Sequence, residues 1–489
     1  MSLPRKPFAH LIALLLVLSA AFAPARLSRS ALAQPPPAHT VYLPLIGAPP
    51  ATPAPPPPDG GEHGSFWLSS IGGTSILTTY GASVAVDRAG GVHVAYALHS
   101  GMDNGRRPAY YASCAASCAD SAGWSLTRLS DEVQDVRLVL DPSTGHPRLM
   151  LFSAARADDT YEYRYAACNA GCADSANWTI TPLIAVAETP TRRSSQNNRY
   201  FALDPQGGAA FIYTDSAESH SGTFYAHCRA GCADASSWSE LKLFDQSLGK
   251  PALTFAPDGQ PRFAATYYVP DDPQYGVPLW KLLYGGCYQR CDQLDQSVWD
   301  GIFLFPTIGD GAFSLRIDPQ GRPRIAVYPT QADRALMQPG QLSFSWCDDG
   351  ACLRAESWQT MSLGLPSMVG DGVDLLLDAT GRPRMAYQMG DDGLGYAWCD
   401  GNCGTAASWQ SRTAEATAAV AARYPPGLPQ HQNCPILTWM NGVRPSLALD
   451  PAGNPRLAYD TELWWGGTNP TTHCDIAVPV SRFTMFPQP

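Results

Sequence analysis

An all-β fold, a seven-bladed β-propeller of four-stranded antiparallel blades closed by an N-terminal strand, is the architecture this sequence predicts, and three observations predict it. The unit Asp450-Pro-Ala-Gly-Asn-Pro-Arg-Leu-Ala-Tyr459 recurs clearly from Asp318 and Asp378 and more loosely from Asp87, Asp141, Asp204 and Ala256. The units follow one another at roughly 50 to 70 residues, the signature of a repeat domain. Within each, short apolar runs alternate with turn signals, as antiparallel hairpins do. A Trp opens the last run: Trp124, Trp178, Trp238, Trp358 and Trp409 each lie six residues after a cysteine, and Trp299 lies eight after.

One such blade cannot bury both faces, whereas stacking blades around an axis covers them. Seven turns meet only six Trp-led runs that follow a cysteine pair. The seventh Trp, Trp67 in Phe66-Trp-Leu-Ser-Ser-Ile71, has no first strand before it. The N-terminal segment is therefore expected to complete the blade begun near Ser446, which leaves no exposed sheet edge.

Taken in order, the chain begins with Arg5 and Lys6 and the apolar run Leu11 to Ala23. That run is too short for a membrane span but suits a secretory signal, with cleavage after Ala31-Leu-Ala33. Residues 1–33 read as the signal peptide and 34–63 as a Pro-rich linker containing Pro35-Pro-Pro37 and Pro55-Pro-Pro-Pro58. Such composition favours extended polyproline conformation and buries no core. The propeller occupies 64–489. No later stretch is long and apolar enough to span a bilayer, so a secreted or cell-surface monomer is expected.

Each repeat opens with an apolar strand such as Ser446-Leu-Ala-Leu449 or Val373-Asp-Leu-Leu-Leu377, followed by the Asp-x-x-Gly turn. The turn Asp can accept backbone N–H bonds while the Gly supplies a positive φ. Calcium competes as a role for this Asp, but one carboxylate per turn falls short of the six to eight oxygens the ion takes. A second strand follows, as in Pro383-Arg-Met-Ala-Tyr387, then a third running into a cysteine, as in Leu394-Gly-Tyr-Ala-Trp-Cys399, and a fourth from the Trp.

The 14 cysteines of an exported chain imply disulfides. Local pairs are Cys114 and Cys118, Cys168 and Cys172, Cys228 and Cys232, Cys287 and Cys291, Cys347 and Cys352, and Cys399 and Cys403. Zinc is the competing reading, but each pair offers two ligands where a structural site needs four, and successive pairs fall in different units. Cys434 and Cys474 lack local partners and are expected to join each other, with the third strand of the last blade starting near Asp475.

A formal charge of -10 and pI near 5.4 argue against a nucleic-acid binder, which needs a basic surface to displace counterions. No metalloprotease, nucleophile-elbow, phosphate-loop or calcium-loop motif occurs. No catalytic residue, metal or cofactor is therefore assigned. Strand direction puts the Asp turns and cysteine turns on one uniform face and the irregular loops on the other. Variable loops on a rigid scaffold are where binding resides. On that irregular face Trp464, Trp465, Tyr267, Tyr268 and Trp439 are candidate aromatic platforms, with Arg193 and Glu462 to orient hydroxyls. They suit a glycan, peptide or cell-surface ligand. The alternative is an exported polysaccharide hydrolase or lyase using an acid/base pair from Asp271, Asp272, Asp460 and Glu462. A purely structural role is the third reading.

From Ser65 onward the repeats resemble those of exported bacterial β-propellers built on an Asp-x-x-Gly-x-Pro-Arg-x-Ala-Tyr unit, and Val41-Tyr-Leu-Pro-Leu45 is similar to a stretch that follows signal peptides in exported bacterial proteins. The resemblance implies the propeller fold and export without an activity. Sialidases carry a Ser-x-Asp-x-Gly-x-Thr-Trp box between third and fourth strands. Here the Asp lies between first and second strands and no Trp follows, so no sialidase residue carries over.

Overall fold

The computed structural model describes residues 63–488 except 74–78, 99–107, 131, 154–159, 188–198, 218–219, 271–278, 292, 308–311, 329–340, 351, 366–371, 391–392, 426–427, 429–433, 435, 470–471 and 475. The predicted signal segment, nearly all of the linker, Arg193, Asp271 and Asp272 lie outside the described residues.

Seven four-stranded antiparallel sheets form among the described residues. Blade 1 comprises Thr79–Val86, Val92–Leu98, Ala109–Cys114 and Ser125–Ser130, and blade 2 Val133–Leu140, Pro147–Ser153, Tyr161–Cys168 and Trp178–Val186. Blade 3 comprises Phe201–Leu203, Ala209–Asp215, Gly222–Cys228 and Ser239–Phe244, and blade 4 Gly249–Phe255, Pro261–Val269, Leu279–Gln289 and Val298–Thr307. Blade 5 takes Phe313–Ile317, Pro323–Val327, Ser343–Cys347 and Trp358–Ser362, and blade 6 Val373–Leu377, Pro383–Gln388, Gly393–Cys399 and Trp409–Ala416. Blade 7 is composite: Ile436–Leu449, Pro455–Gly466 and Ile476–Met485 are completed by Gly64–Trp67. First strands of consecutive blades lie side by side all the way round, that of blade 7 against that of blade 1.

The repeat motif explains the lower end of the blades that carry it in full. The turn Asp accepts two backbone N–H bonds, from Thr380 and Arg382 to Asp378 at 2.9 and 3.0 Å, for example. The turn glycine takes the left-handed conformation, with φ of 81° at Gly381. The arginine of Pro-Arg then ties this turn to the end of the third strand. Arg384 donates to the Cys399 carbonyl at 3.0 Å, to Asp378 at 2.8 Å and to Asp400 at 2.7 Å. Arg324 makes the same set with Cys347, Asp318 and Asp348. Charge-assisted bonds of this kind are the stronger ones. The Trp spacing has an equally direct cause, since Trp409 Nε1 donates to the Cys403 carbonyl six residues earlier at 3.0 Å. Trp124, Trp178, Trp238 and Trp358 repeat that bond. All 14 cysteines are paired as the sequence predicts, including Cys434 with Cys474. The third strand of blade 7 starts at Ile476.

Between blades the core is a seven-fold aromatic layer. The Ala of each Pro-Arg-x-Ala unit, or Met150 and Ile212 in its place, pairs with an aromatic on the third strand: Tyr111, Tyr165, Tyr225, Tyr284, Phe344, Tyr396 and Phe483. Small opposite large leaves room for the next blade. Six of these rings meet the next blade's Trp at centroid distances of 4.9 to 5.6 Å. Tilted and edge-on pairs at that spacing contribute beyond their buried area.

The seventh slot differs from the sequence reading in one respect. Trp67 does lie in the closing strand, but opposite Arg482, while Gly64 opposite Met485 holds the position of Gln410 opposite Trp398, one residue past that of Trp409 opposite Cys399. Phe486 fills the slot instead, edge-on to Tyr396 at 5.5 Å. The reason is geometric: the closing strand starts one residue past the place where an outer strand's Trp would stand, so the aromatic comes instead from the residue that follows Ile476–Met485.

Candidate functional site

Opposite the Asp turns, the described residues of the irregular end form a polar centre and a raised wall. Reading outward from the repeat Ala, the matching first-strand residues are Ser83, Arg137, Ala252, Ser314, Asp374 and Ser446. Tyr200 holds this place in blade 3, where the Ile212 N–H bonds its carbonyl. Several of these side chains bond the next blade's backbone: Ser446 accepts from Val84 N–H, Ser83 from Leu138 N–H and Asp374 from Leu447 N–H. The ring is thus laced from blade to blade around its axis.

Arg199 of blade 3 reaches blade 6, where its Nε meets Asp374 at 3.0 Å and its Nη2 forms a second bond, and it also bonds the Leu447 carbonyl of blade 7. Asp374 is fully buried and takes Arg316 as a further partner. Burial, with Arg199 nearby, brings Arg316 down to about 9 against the pull of Asp374. These groups close the middle of the ring. The sequence reading missed them because they meet from separate blades, although a charged residue within Val373-Asp-Leu-Leu-Leu377 was a visible signal.

A second cluster joins blades 7, 1 and 2. Asp460 accepts from Gly81 N–H at 3.0 Å and Arg444 Nε at 2.9 Å, and Ser481 donates to its other oxygen. Arg444 also holds Glu462 at 2.7 Å. Arg137 Nη2 stands 2.9 Å from Asp135. Burial raises the Asp135 pKa, with the nearby Asp460 charge adding to it and Arg137 opposing.

The raised wall is the upper half of blade 7, whose strands outrun those of its neighbours. Thr438 pairs with Trp464 and Leu437 with Trp465, while Trp464 and Trp465 pair with Ala477 and Ile476. Strand alternation sends neighbours to opposite faces. Trp465, at 3% exposure, enters a small core with Leu463, Val480, Val420 and Trp67, so it is a packing residue and not a surface platform. Trp439 borders that core, edge-on to Tyr424 at 5.9 Å. The Cys434–Cys474 bond fastens to this wall the covering segment that carries Val420 and Tyr424. Trp464 goes to the other face and stays half-buried, its ring lying over Gly466 where any Cβ would overlap it. Glu462, two residues away, shares that face.

The remaining predicted platforms lie elsewhere. Tyr267 and Tyr268 belong to blade 4 and alternate onto its two faces: Tyr267 packs on Phe303 at 5.2 Å, and the exposed Tyr268 on Trp280 at 5.3 Å. The predicted set therefore separates into Trp464 with Glu462, Trp439 with Trp465 behind them, and a tyrosine pair on another blade.

Among the described residues no helix is long and apolar enough to cross a membrane. The chain matches no protein-family model and no curated protein. Solved structures similar to it include a protein of unknown function from Dyadobacter fermentans, 11% identical over 86% of this chain and 99% of that one, with a TM-score of 0.40. A Penicillium chrysogenum α-L-arabinanase complexed with arabinobiose is 13% identical over 68% and 94%, with a TM-score of 0.44. The Aleuria aurantia lectin in complex with a fucosyl-N-acetylglucosamine is 10% identical over 82% and 96%, with a TM-score of 0.36. The likeness is one of fold alone.

Proposed function

We propose that this chain is a secreted, disulfide-clamped binding module whose irregular face takes an extended ligand, carbohydrate in particular, against the raised wall of blade 7. The observation that carries the reading is the pairing on one face of Trp464, held against Gly466, with Glu462, itself oriented by Arg444. A fixed aromatic face beside an oriented carboxylate suits a sugar ring, which offers C–H groups to the one and hydroxyls to the other. Tyr268 with Trp280 supplies a second aromatic surface for a ligand long enough to span blades. Seven disulfides favour an oxidising, extracellular setting.

The hydrolase or lyase reading is less well supported. Asp460 is fully buried with three hydrogen-bond donors around it, and Glu462 shares Arg444 with it. A general acid or base must reach its substrate directly or through one water.

The test is a glycan and peptide array, followed by calorimetry on whatever binds, with wild type, Trp464→Ala and Gly466→Ala. Both variants are expected to weaken binding at least tenfold without lowering the unfolding temperature by more than a few degrees. Binding that survives Trp464→Ala overturns the assignment.

A further inference from the structure

The repeat arginine is absent from two blades, and beside those two the uniform face opens into cavities. Blade 1 has His93 in its place and blade 3 has Ala210. A cavity of 610 Å³ lies between blades 1 and 2, and one of 410 Å³ between blades 3 and 4. The arginine stands two residues before the repeat Ala and so points to the same side, toward the next blade. In blades 2, 4, 5 and 6 it reaches across this end of the blade to the cysteine carbonyl. A shorter residue leaves that space unfilled.

A histidine backs both cavities, delivered from different strands. His93 stands on the second strand, its Nε2 3.2 Å from Asp87 and its Nδ1 2.5 Å from the Tyr111 hydroxyl. His227 stands on the third strand opposite Ala210, with Nε2 3.9 Å from Asp204 and its ring stacked on Tyr225 at 5.9 Å. The same Asp, His and Tyr trio is thus assembled by two routes, in the two places where the arginine is gone. Burial lowers the pKa of both imidazoles, although the neighbouring Asp opposes this in each case. Both rings are accordingly neutral at pH 7, with one nitrogen to donate and one to accept. Thr144 and Pro147 line the first cavity, and Gln206 and Pro261 the second, so hydroxyl or amide groups alternate with apolar surface.

We propose that each cavity is a binding site for one neutral monosaccharide unit. Sugar hydroxyls both donate and accept, which suits the Asp87 and Asp204 carboxylates, the His227 imidazole and Thr144 or Gln206, while His93 is held in place by Asp87 and Tyr111, and the apolar face of the ring suits the proline. Volumes of this size are typical of small-ligand sites. An anionic ligand would meet Asp87 or Asp204, and a cationic one Arg88 or Arg229. These sites lie on the face opposite Trp464 and do not depend on the reading of the irregular face.

The probes are free galactose, glucose, mannose, fucose, xylose, arabinose and N-acetylglucosamine, used in saturation-transfer NMR and calorimetry at millimolar concentration. At least one is expected to bind at two sites per chain. Restoring the arginine by His93→Arg should remove one site, and Ala210→Arg with His227→Ser the other. To keep the irregular face out of the measurement, both readings are taken in a Trp464→Ala background, where restoring the two arginines should weaken binding at least tenfold. Sugar binding that persists there with both arginines restored, or a Trp464→Ala protein that binds none of the sugars, overturns the proposal. Should an arginine variant fail to fold, wild-type crystals soaked in the same sugars decide: sugar in both cavities supports the sites, and cavities without it refute them.

Discussion

Blades 6 and 7 carry the two best copies of the repeat, Asp378-Ala-Thr-Gly-Arg-Pro-Arg-Met-Ala-Tyr387 and Asp450-Pro-Ala-Gly-Asn-Pro-Arg-Leu-Ala-Tyr459, yet they are finished by different means. Blade 6 completes itself locally, with a disulfide between third and fourth strands and Trp409 bonded back to Cys403. Blade 7 borrows its outer strand from the N-terminal side of the domain and its slot aromatic, Phe486, from the C-terminal tail. In place of a local clamp it has a buried network: Arg482 bonds Ser65 at 2.6 Å and Tyr459 at 3.1 Å, pairs with Glu415 of blade 6, and lies over the Trp67 ring at 4.2 Å. The repeat therefore specifies the inner two strands, while the outermost strand can come from a distant part of the chain.

If that contrast is right, the largest loss should come from the seam. Arg482→Ala leaves Glu415 buried without its cation, which should cost roughly 3–5 kcal/mol in urea unfolding. Adding Glu415→Gln should recover part of the loss. A cost for Arg482→Ala no larger than that of an ordinary surface substitution would break the comparison.

Next come the disulfides, where loop length decides. Replacing Cys434 and Cys474, which are 40 residues apart, by Ser should cost about 4 kcal/mol in the chain-entropy account, and replacing Cys399 and Cys403, 4 apart, about 2 kcal/mol. Equal losses in denaturant titrations would mean that the covering segment of blade 7 is held by packing and not by its bond.

A smaller difference should separate the two repeat arginines. Arg384 reaches Cys399 and Asp400, whereas Arg456 bonds Asp450 and the Pro455 carbonyl. Arg384→Met should cost about 1–3 kcal/mol, and Arg456→Met roughly 1 kcal/mol less, as measured by thermal unfolding.

The smallest effect separates these blades from blades 1 and 3 by pH. Burial depresses the pKa of His93 and His227 below 6.5, so the unfolded chain binds protons first as pH falls. Stability then declines from about pH 6.5 down to the folded values. His220 works in the opposite sense: its pKa is raised, so its contribution is present below 6.5 and fades as pH rises through the folded value, but its exposure makes that contribution slight. Asp378 behaves as a depressed acid. Burial opposes its ionisation, but bonds from Thr380 and Arg382 outweigh this, so its stabilisation disappears only in stronger acid. Hydrogen exchange at pH 5 should show blades 1 and 3 losing protection before blade 6.

The repeat made the architecture legible. The Trp spacing encodes a bond to a carbonyl six residues back, the cysteine spacing a local loop, and the shortfall of Trp-led runs against seven turns a closure by the strand that holds Trp67. What remained hidden needs three dimensions. Arg148, Arg262, Arg324 and Arg384 were visible as part of a motif, but their task of joining two turns depends on pairing between second and third strands. Trp464 and Trp465 are adjacent in sequence, and only the register of blade 7 decides which faces outward. Arg199 and Asp374 lie 175 residues apart and meet only because the ring is closed.

That closure also orders events in time. Gly64 and Thr484, 420 residues apart, are bonded in the finished domain. The strand made first is thus the last to find its partner, and non-local pairing of this span is slow. Six blades can assemble as the chain emerges, but the seventh must wait for Ile476–Met485. Until then blade 7 has no outer strand, and a nascent chain stalled before Ile476 is an open ring with a free edge, exposed to capture by a neighbour.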